Sequence, residues 1–249
     1  MSDVFIGAWH GGLGDNLQLS TLPEEFYKQQ GRKTYLWNQA KFRNDDIKKL
    51  VWGFNPYVDR GSCGSNPREG DWNAGDLPDL NYSNVAGDHI ANIEQLHGLQ
   101  PTNKYPKIYY KPKGLVGYYD TFLVDFTCIS INYPVDKLMN KLNEIRETYP
   151  DKKFMEVTFS QNLNNQGKHN KYDMNLEKLV VNNIFEYCDY ICAASGLVAL
   201  SSGASHLSSA LMEYHPTLKS ICIMEESWYN KHMNIGKLFI FDNIEYQLI

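Results

Sequence analysis

This 249-residue sequence predicts an α/β fold in two Rossmann-like halves, and three observations predict it. A short apolar run, a glycine loop and a helical pattern succeed one another at the start of the chain. The same order of strand and helix patterns restarts after residue 114. Between them stands Lys111-Pro112-Lys113-Gly114, whose proline and glycine set among charges suit an exposed hinge. The halves are residues 1–112 and 115–249, and two such halves facing a central cleft suit one ligand held by each.

In the first half, Val4 to Trp9 reads as a strand that breaks at His10-Gly11-Gly12-Leu13-Gly14. A helix is expected over Asn16–Gln30, with Leu17, Leu22, Phe26 and Tyr27 at helical spacing and Gly31 as its stop. Lys33 to Trp37 is the next strand. Residues 53–87 are rich in Gly, Asn, Asp and Pro and read mostly as loop. Asp88 is expected to cap a helix carrying Ile90, Ile93, Leu96 and Leu99, which Gly98 and Pro101 end.

In the second half the expected strands are Phe126–Asn132, Phe154–Phe159, Tyr190–Ala194, Leu218–Met224 and Leu238–Phe241. The expected helices are Val135–Thr148, with Leu138, Leu142 and Ile145 on one face, and Leu176–Tyr187, with Leu179, Val180 and Ile184 inward. A small-residue helix is expected over Leu197–Leu211. Residues Gln161–Asn175 form an Asn-rich loop, read as a lid over phosphate or as plain surface.

Composition narrows the function classes. With 43% hydrophobic and 21% charged residues and no repeat, the chain is neither disordered nor collagenous nor a simple coiled coil. The 17 Tyr, 11 Phe and 5 Trp hint at a binding cleft lined by rings. A net charge of −5, with basic residues only in scattered pairs, leaves no footprint for nucleic acid. Five cysteines without a CxxC read as reduced thiols, and no window nears the ~18 apolar residues of a membrane span. With no basic, apolar leader after Met1, the expectation is a cytoplasmic protein without a transmembrane segment.

The first glycine loop departs from the nucleotide fingerprints. Gly12-x-Gly14 would need a third glycine where Leu17 stands, and the second strand ends in Trp37-Asn38 without the acid that holds a ribose, so NAD is not expected. No P-loop motif occurs. What remains is a tight turn where backbone can approach a ligand, formed by His10, Gly11, Gly12 and Gly14, with Asp15 at the following helix start either as a base or as a helix cap. A second candidate is Ala194-Ser195-Gly196 at the end of an expected strand, where free N–H groups and hydroxyls would bind a diphosphate. Lys137 is placed to reach a phosphate or to remain a solvated surface lysine. Asn132, Thr158 and Ser160 fall at expected carboxyl ends of strands, where nucleotide contacts gather. No HExxH and no Cys/His cluster occurs, so no metal site is expected.

His10-Gly11-Gly12-Leu13-Gly14-Asp15-Asn16 followed by Thr21-Leu22-Pro23 resembles the opening of GT-B glycosyltransferases of the ADP-heptose:lipopolysaccharide heptosyltransferase type, glycosyltransferase family 9. Phe54-Asn55-Pro56-Tyr57-Val58-Asp59 resembles an Asn-Pro-Tyr-x-Asp segment of the same family domain. Ala194-Ser195-Gly196-Leu197-x-x-Leu200 and Ser201-Ser202-Gly203-x-x-His206-Leu207 both resemble its donor motif, Asp-Thr-Gly-x-x-His-Leu. The family's Asp is Ala194 in one register and Ser201 in the other, and the Asp15-to-Pro23 spacing is longer than the family's.

The resemblance implies an acceptor-side domain over 1–112 and a nucleotide-sugar domain over 115–249. It implies transfer of a hexosyl or heptosyl group from a nucleotide-sugar to a saccharide or glycolipid acceptor, with inversion and with neither metal nor cofactor. Asp15 matches the family's base. Asn132, Lys137, Thr158, Ser195, Gly196, Ser202, Gly203 and His206 are the donor-side candidates. The alternative is a catalytically inactive GT-B-like protein that binds a nucleotide or glycan, which the missing family Asp and the short chain favour.

Overall fold

A computed structural model describes residues 3–8, 11–37, 40–59, 88–128, 131–160, 172–234, 237 and 239–249. Two compact units emerge, Met1–Tyr110 with Lys231–Phe241, and Lys111–Asn230 with Asp242–Ile249. Residues 231–241 thus pack with the first unit, whereas the sequence pattern ran the second half unbroken to its end.

In the first unit, β1 (Val4–Ile6), β2 (Thr34–Leu36) and β3 (Val58–Asp59) form a parallel sheet in the order β1-β2-β3. The expected first helix breaks in two, α1 (Leu13–Leu17) and α2 (Leu22–Gln30), with a turn over 18–21 between them. Pro23, whose fixed φ suits a first turn, opens α2. Gly31 closes it at φ 64, a left-handed conformation that glycine adopts without strain. α3 (Asp45–Lys48) runs into a π-turn, Lys49–Gly53. α4 (His89–Leu96) begins after Asp88, as the sequence implies, yet the Asp88 side chain does not cap it. Its carboxylate instead takes the Lys237 ammonium at 3.0 Å, while the Phe239 and Phe241 rings pack on His89. Leu17, Leu22, Phe26, Leu50, Trp52, Ile90 and Ile93 make the core.

Glu24 on α2 is a buried acid whose partners come from its own helix and from the segment at 107–109. Lys28 reaches it at 2.5 Å, Lys107 at 2.7 Å and the Tyr109 hydroxyl at 2.9 Å. Burial pushes its carboxyl up, but hydrogen bonds from Lys107, Lys28 and Tyr109 outweigh that and hold it at about 2. The folded value lies below the ordinary 4.5, so this stabilisation is present above pH 4.5 and is lost as pH falls through about 2. Glu24→Gln is expected to unfold at lower temperature at pH 7 and to lose part of the acid sensitivity of the parent between pH 4.5 and about 2. Thermal melts across that range check it, and parallel pH profiles for the two proteins would sink it.

The second unit carries six parallel strands in the order β6-β5-β4-β7-β8-β9. They are β4 (Thr121–Asp125), β5 (Lys153–Phe159), β6 (Glu177–Val181), β7 (Gly196–Leu200), β8 (Lys219–Met224) and β9 (Glu245–Leu248). Helices α5 (Val135–Thr148), α6 (Ile184–Ala193) and α7 (Gly203–Leu211) complete it together with the start of α8 (Glu226–Asn234), whose residues from Lys231 on group with the first unit. Numbered within the unit, the order is 3-2-1-4-5-6, that of a doubly wound sheet, and it reverses between β4 and β7. The central strands β4 and β7 are buried along their whole length, as parallel strands covered on both faces must be.

Several expected elements move. The strand expected at 126–132 lies at Thr121–Asp125, where five consecutive buried residues meet β5 and β7, and Phe126 and Cys128 follow it in a loop. The helix expected at 176–187 is β6 followed by α6: Leu179 and Val181 point inward with Val180 exposed between them, a period of two. Asn183 then starts α6, its side chain accepting the Glu186 N–H at 2.8 Å. The strand expected at 190–194 is the last turn of α6. The small-residue stretch expected as one helix is strand β7, a turn at 201–202, and α7. Among the described residues of 238–241 no strand occurs, and the last strand is β9. α8 had no counterpart in the sequence pattern.

Candidate functional site

In the first unit the glycine loop leaves the carboxyl end of β1. Gly11 sits at φ 69, and a Cβ there would lie 3.0 Å from the Lys41 carbonyl carbon and 3.1 Å from Phe42 N. Gly7 is equally constrained, since its Cβ would collide with that of Ala40. The glycines therefore admit residues 40–43, which lie on the loop through Lys41 N–H to Ala8 O at 2.9 Å and Arg43 N–H to Gly11 O at 2.8 Å. Gly12 precedes α1, and Gly14 and Asp15 lie within it.

Asp15 is half-buried, and its Oδ2 accepts the Gly12 N–H at 3.0 Å. Gly12 is therefore the N-cap, and Asp15, expected as a base or as the cap itself, stands at the third helical position and reaches back to the N-cap N–H. Its Oδ1 accepts no hydrogen bond among the described residues. Asn16 is fully buried and clamps the turn: its Nδ2 donates to Gly12 O at 2.8 Å, and its Oδ1 accepts the Trp52 indole N–H at 2.8 Å. Asn55 of the Asn-Pro-Tyr segment is also structural, its Oδ1 accepting the Tyr57 N–H at 2.9 Å. His10 lies outside the described residues, as do residues 161–171 of the Asn-rich loop.

In the second unit the two donor-motif registers separate cleanly. Ser195 and Gly196 lie at the amino end of β7, whereas doubly wound folds bind their ligands at the carboxyl ends of the strands. Ser195 Oγ is engaged by Lys152 at 3.1 Å and donates to Tyr119 O. Gly196 is packed between β4 and β8, where a Cβ would strike the Phe122 ring and lie 2.7 Å from Lys219 O. The expectation that Ala194–Gly196 is a strand-end phosphate loop is therefore corrected: the apolar run that ends a strand there is helix, and the strand begins where the loop was expected.

The other register falls at the carboxyl end of β7. Ser202 is the N-cap of α7, its Oγ accepting the Ala204 N–H at 3.3 Å, and Gly203 is the first helical residue. His206 is buried one turn on, with Nδ1 2.9 Å from Ser202 O. The loop after β4 lies against this turn, with the Cys128 thiol 3.9 Å from Ser201 O. Asp125 ends β4 and fixes that loop, accepting the Thr127 N–H at 2.8 Å and hydroxyl at 2.5 Å on Oδ1 and the Tyr187 hydroxyl at 2.6 Å on Oδ2. Burial and the adjacent Asp125 carboxylate hold the Tyr187 hydroxyl well above its ordinary range.

Asn132 and Lys137 are exposed, before α5 and in its first turn. Thr158 is spent within the sheet, its hydroxyl donating to Leu179 O at 3.2 Å. Ser160 follows β5, its N–H donating to Val181 O at 2.9 Å. The structure thus gathers Gly11, Gly12, Gly14 and Asp15 in one unit and Ser202, Gly203 and His206 in the other. It leaves Ser195, Gly196 and Thr158 outside both groups.

Sequence reasoning passed over Arg43, Asn16 and Asp125. Only the glycines at 7 and 11, read as sites of close approach by another segment, could have pointed toward Arg43. The four described cysteines are free thiols. Burial pushes Cys188 well up and Cys192 and Cys222 up to about 12, so none of these three offers a thiolate nucleophile. Among the described residues no group of three His, Cys, Asp or Glu is placed to hold a metal ion, and no helix is long and apolar enough to cross a membrane.

No protein-family model and no curated protein matches the sequence. Solved structures do match. The iron-containing dodecameric glycosyltransferase TibC from enterotoxigenic E. coli H10407 superposes with a TM-score of 0.62 at 16% identity, over 98% of this chain and 62% of TibC. A glycosyl transferase of family 9 from Veillonella parvula DSM 2008 gives 0.61 at 9% identity, over 99% of this chain and 84% of that one. E. coli heptosyltransferase WaaC with ADP gives 0.57 at 9%, over 100% of this chain and 93% of WaaC. At such identities the likeness establishes the fold, parallel-sheet α/β units like those of the heptosyltransferases. The chain spans about 62% of the length of TibC.

Proposed function

We propose that this chain is a glycosyltransferase of the hexosyl- or heptosyltransferase type, moving a sugar from a nucleotide-sugar donor to a hydroxyl of a saccharide or glycolipid, with inversion, without a metal and in the cytoplasm. One observation carries the reading: the Ser201-Ser202-Gly203 turn stands at the carboxyl end of β7, beside the point where the strand order reverses. Doubly wound sheets bind their nucleotides at that point. The α7 N–H groups, the Ser202 hydroxyl and the Lys137 ammonium would hold the diphosphate and spread the charge it gains on leaving. Asp15 Oδ1 would take the proton of the acceptor hydroxyl as its oxygen attacks the anomeric carbon. The neighbours' names, heptosyltransferase and ADP-bound WaaC, make ADP-sugars the first donors to try.

The second reading is an idle nucleotide- or glycan-binding protein. Two observations favour it: Asp15 already serves Gly12 as a cap, and Ser201 stands where the family donor motif has Asp.

The test is release of nucleoside diphosphate or nucleotide from ADP-, UDP-, GDP- and CMP-sugars, with and without saccharide acceptors. Turnover of one donor is expected, and binding without turnover of any would establish the idle reading. Because the leaving charge is assigned to α7, Ser202 and Lys137, EDTA is expected to leave the rate within about twofold. An absolute requirement for Mn²⁺ or Mg²⁺ would contradict the mechanism.

A further inference from the structure

The segment that packs on the glycine loop brings a cation to the candidate base. Arg43 is exposed, and its main-chain N–H is fixed to Gly11 O at 2.8 Å. The point a Cβ on Gly12 would occupy lies 3.6 Å from Arg43 Nη2 and 2.6 Å from Asp15 Oδ2, so guanidinium and carboxylate are no more than about 6 Å apart. They do not form an ion pair, and among the described residues Arg43 pairs with no acid at all. Asp45 and Asp46, which follow closely in sequence, lie in the first turn of α3 and make no ion pair with it. A Cβ on Gly7 would meet Ala40 and one on Gly11 would meet Lys41 and Phe42, so the course of the main chain that carries Arg43 is built into the glycine loop itself.

A planar, permanently charged fork standing beside a carboxylate it does not neutralise is suited to a ligand anion. We propose that Arg43 binds an anionic oxygen group, a carboxylate or phosphate, on the substrate that meets Asp15. This rests on the reading of Asp15 as a substrate-facing residue. Arg43 would select, among sugars offering a hydroxyl to Asp15, those whose acid group stands nearby. The same chemistry could come from an acidic saccharide or from a nucleoside diphosphate, and the test separates them.

The Arg43 Nε–Hε resonance of the full-length ¹⁵N-labelled chain, assigned by its loss in Arg43→Gln, is followed while inorganic phosphate, methyl glucuronide, methyl glucoside, ADP or UDP is added. Saturable shifts with phosphate and methyl glucuronide but not methyl glucoside are expected, and calorimetric titration, which does not depend on that resonance, is expected to give methyl glucuronide binding about tenfold weaker in Arg43→Gln than in the parent. A response to phosphate and to ADP or UDP, but not to methyl glucuronide, supports the anion contact and assigns it to the nucleotide. Equal response to methyl glucoside, or no response to any of the anions, overturns the proposal. Because the readout is binding, a chain that never transfers sugar yet binds anions at Arg43 would defeat the glycosyltransferase reading alone.

Discussion

Asp15→Asn is expected to fold and melt like the parent and to transfer sugar about 10²- to 10⁴-fold more slowly. Asn keeps an oxygen that can accept the Gly12 N–H now held by Asp15 Oδ2 at 3.0 Å, so the cap survives the substitution. What Asn lacks is the ability to take a proton. Asp15→Ala removes both and should add a stability loss of about 1 kcal/mol to the same kinetic defect. Rates with the donor found in the nucleotide-release assay, set beside thermal melts, separate the roles. Should Asp15→Asn work within a few-fold of the parent, Asp15 is a cap only, and the idle-binder reading takes precedence.

The parts of the fold legible in the sequence are those where periodicity had only one interpretation. α5 carries Leu138, Leu142 and Ile145 at helical spacing over 14 residues, too long for a strand, and it falls where the pattern placed it. Short apolar runs were ambiguous. Leu197-Val198-Ala199-Leu200 satisfies a buried strand and a packed helix equally, and only its pairing with β4 and β8 decides for the strand. Leu179, Val180 and Ile184 fit a helix on paper, but Asn182-Asn183 break the run, so the residues before them alternate and those after them coil.

The site followed the same logic. The residue types of Ser202, Gly203 and His206 were readable as a motif, but the end of the sheet on which the motif stands depends on that strand assignment. Arg43 is not marked by any local pattern of its own: the one sequence signal is the pair of glycines at 7 and 11, and which segment packs on them, residues 40–42, is decided by tertiary structure.

The two registers of the donor motif now predict opposite phenotypes. Gly196→Ala should destabilise the second unit by about 1–3 kcal/mol, because its Cβ would meet the Phe122 ring and the Lys219 carbonyl oxygen at 2.7 Å within a fully buried strand. Phe122 cannot yield easily, since it already stacks on Phe154 at 5.3 Å and leans on Tyr149 at 4.8 Å. Nucleoside diphosphate affinity of the folded fraction should be unchanged. Gly203→Asp should do the reverse. An acid in the first turn of α7 suits the helix dipole, so folding should hold, while its charge faces the phosphates and should weaken nucleoside diphosphate binding at least about tenfold. Calorimetric titration with ADP, UDP and GDP, paired with thermal melts, reads both arms. A Gly196→Ala protein with a normal melt and lost binding would return the donor loop to the amino end of β7. Undiminished binding in Gly203→Asp would remove the α7 start from the site.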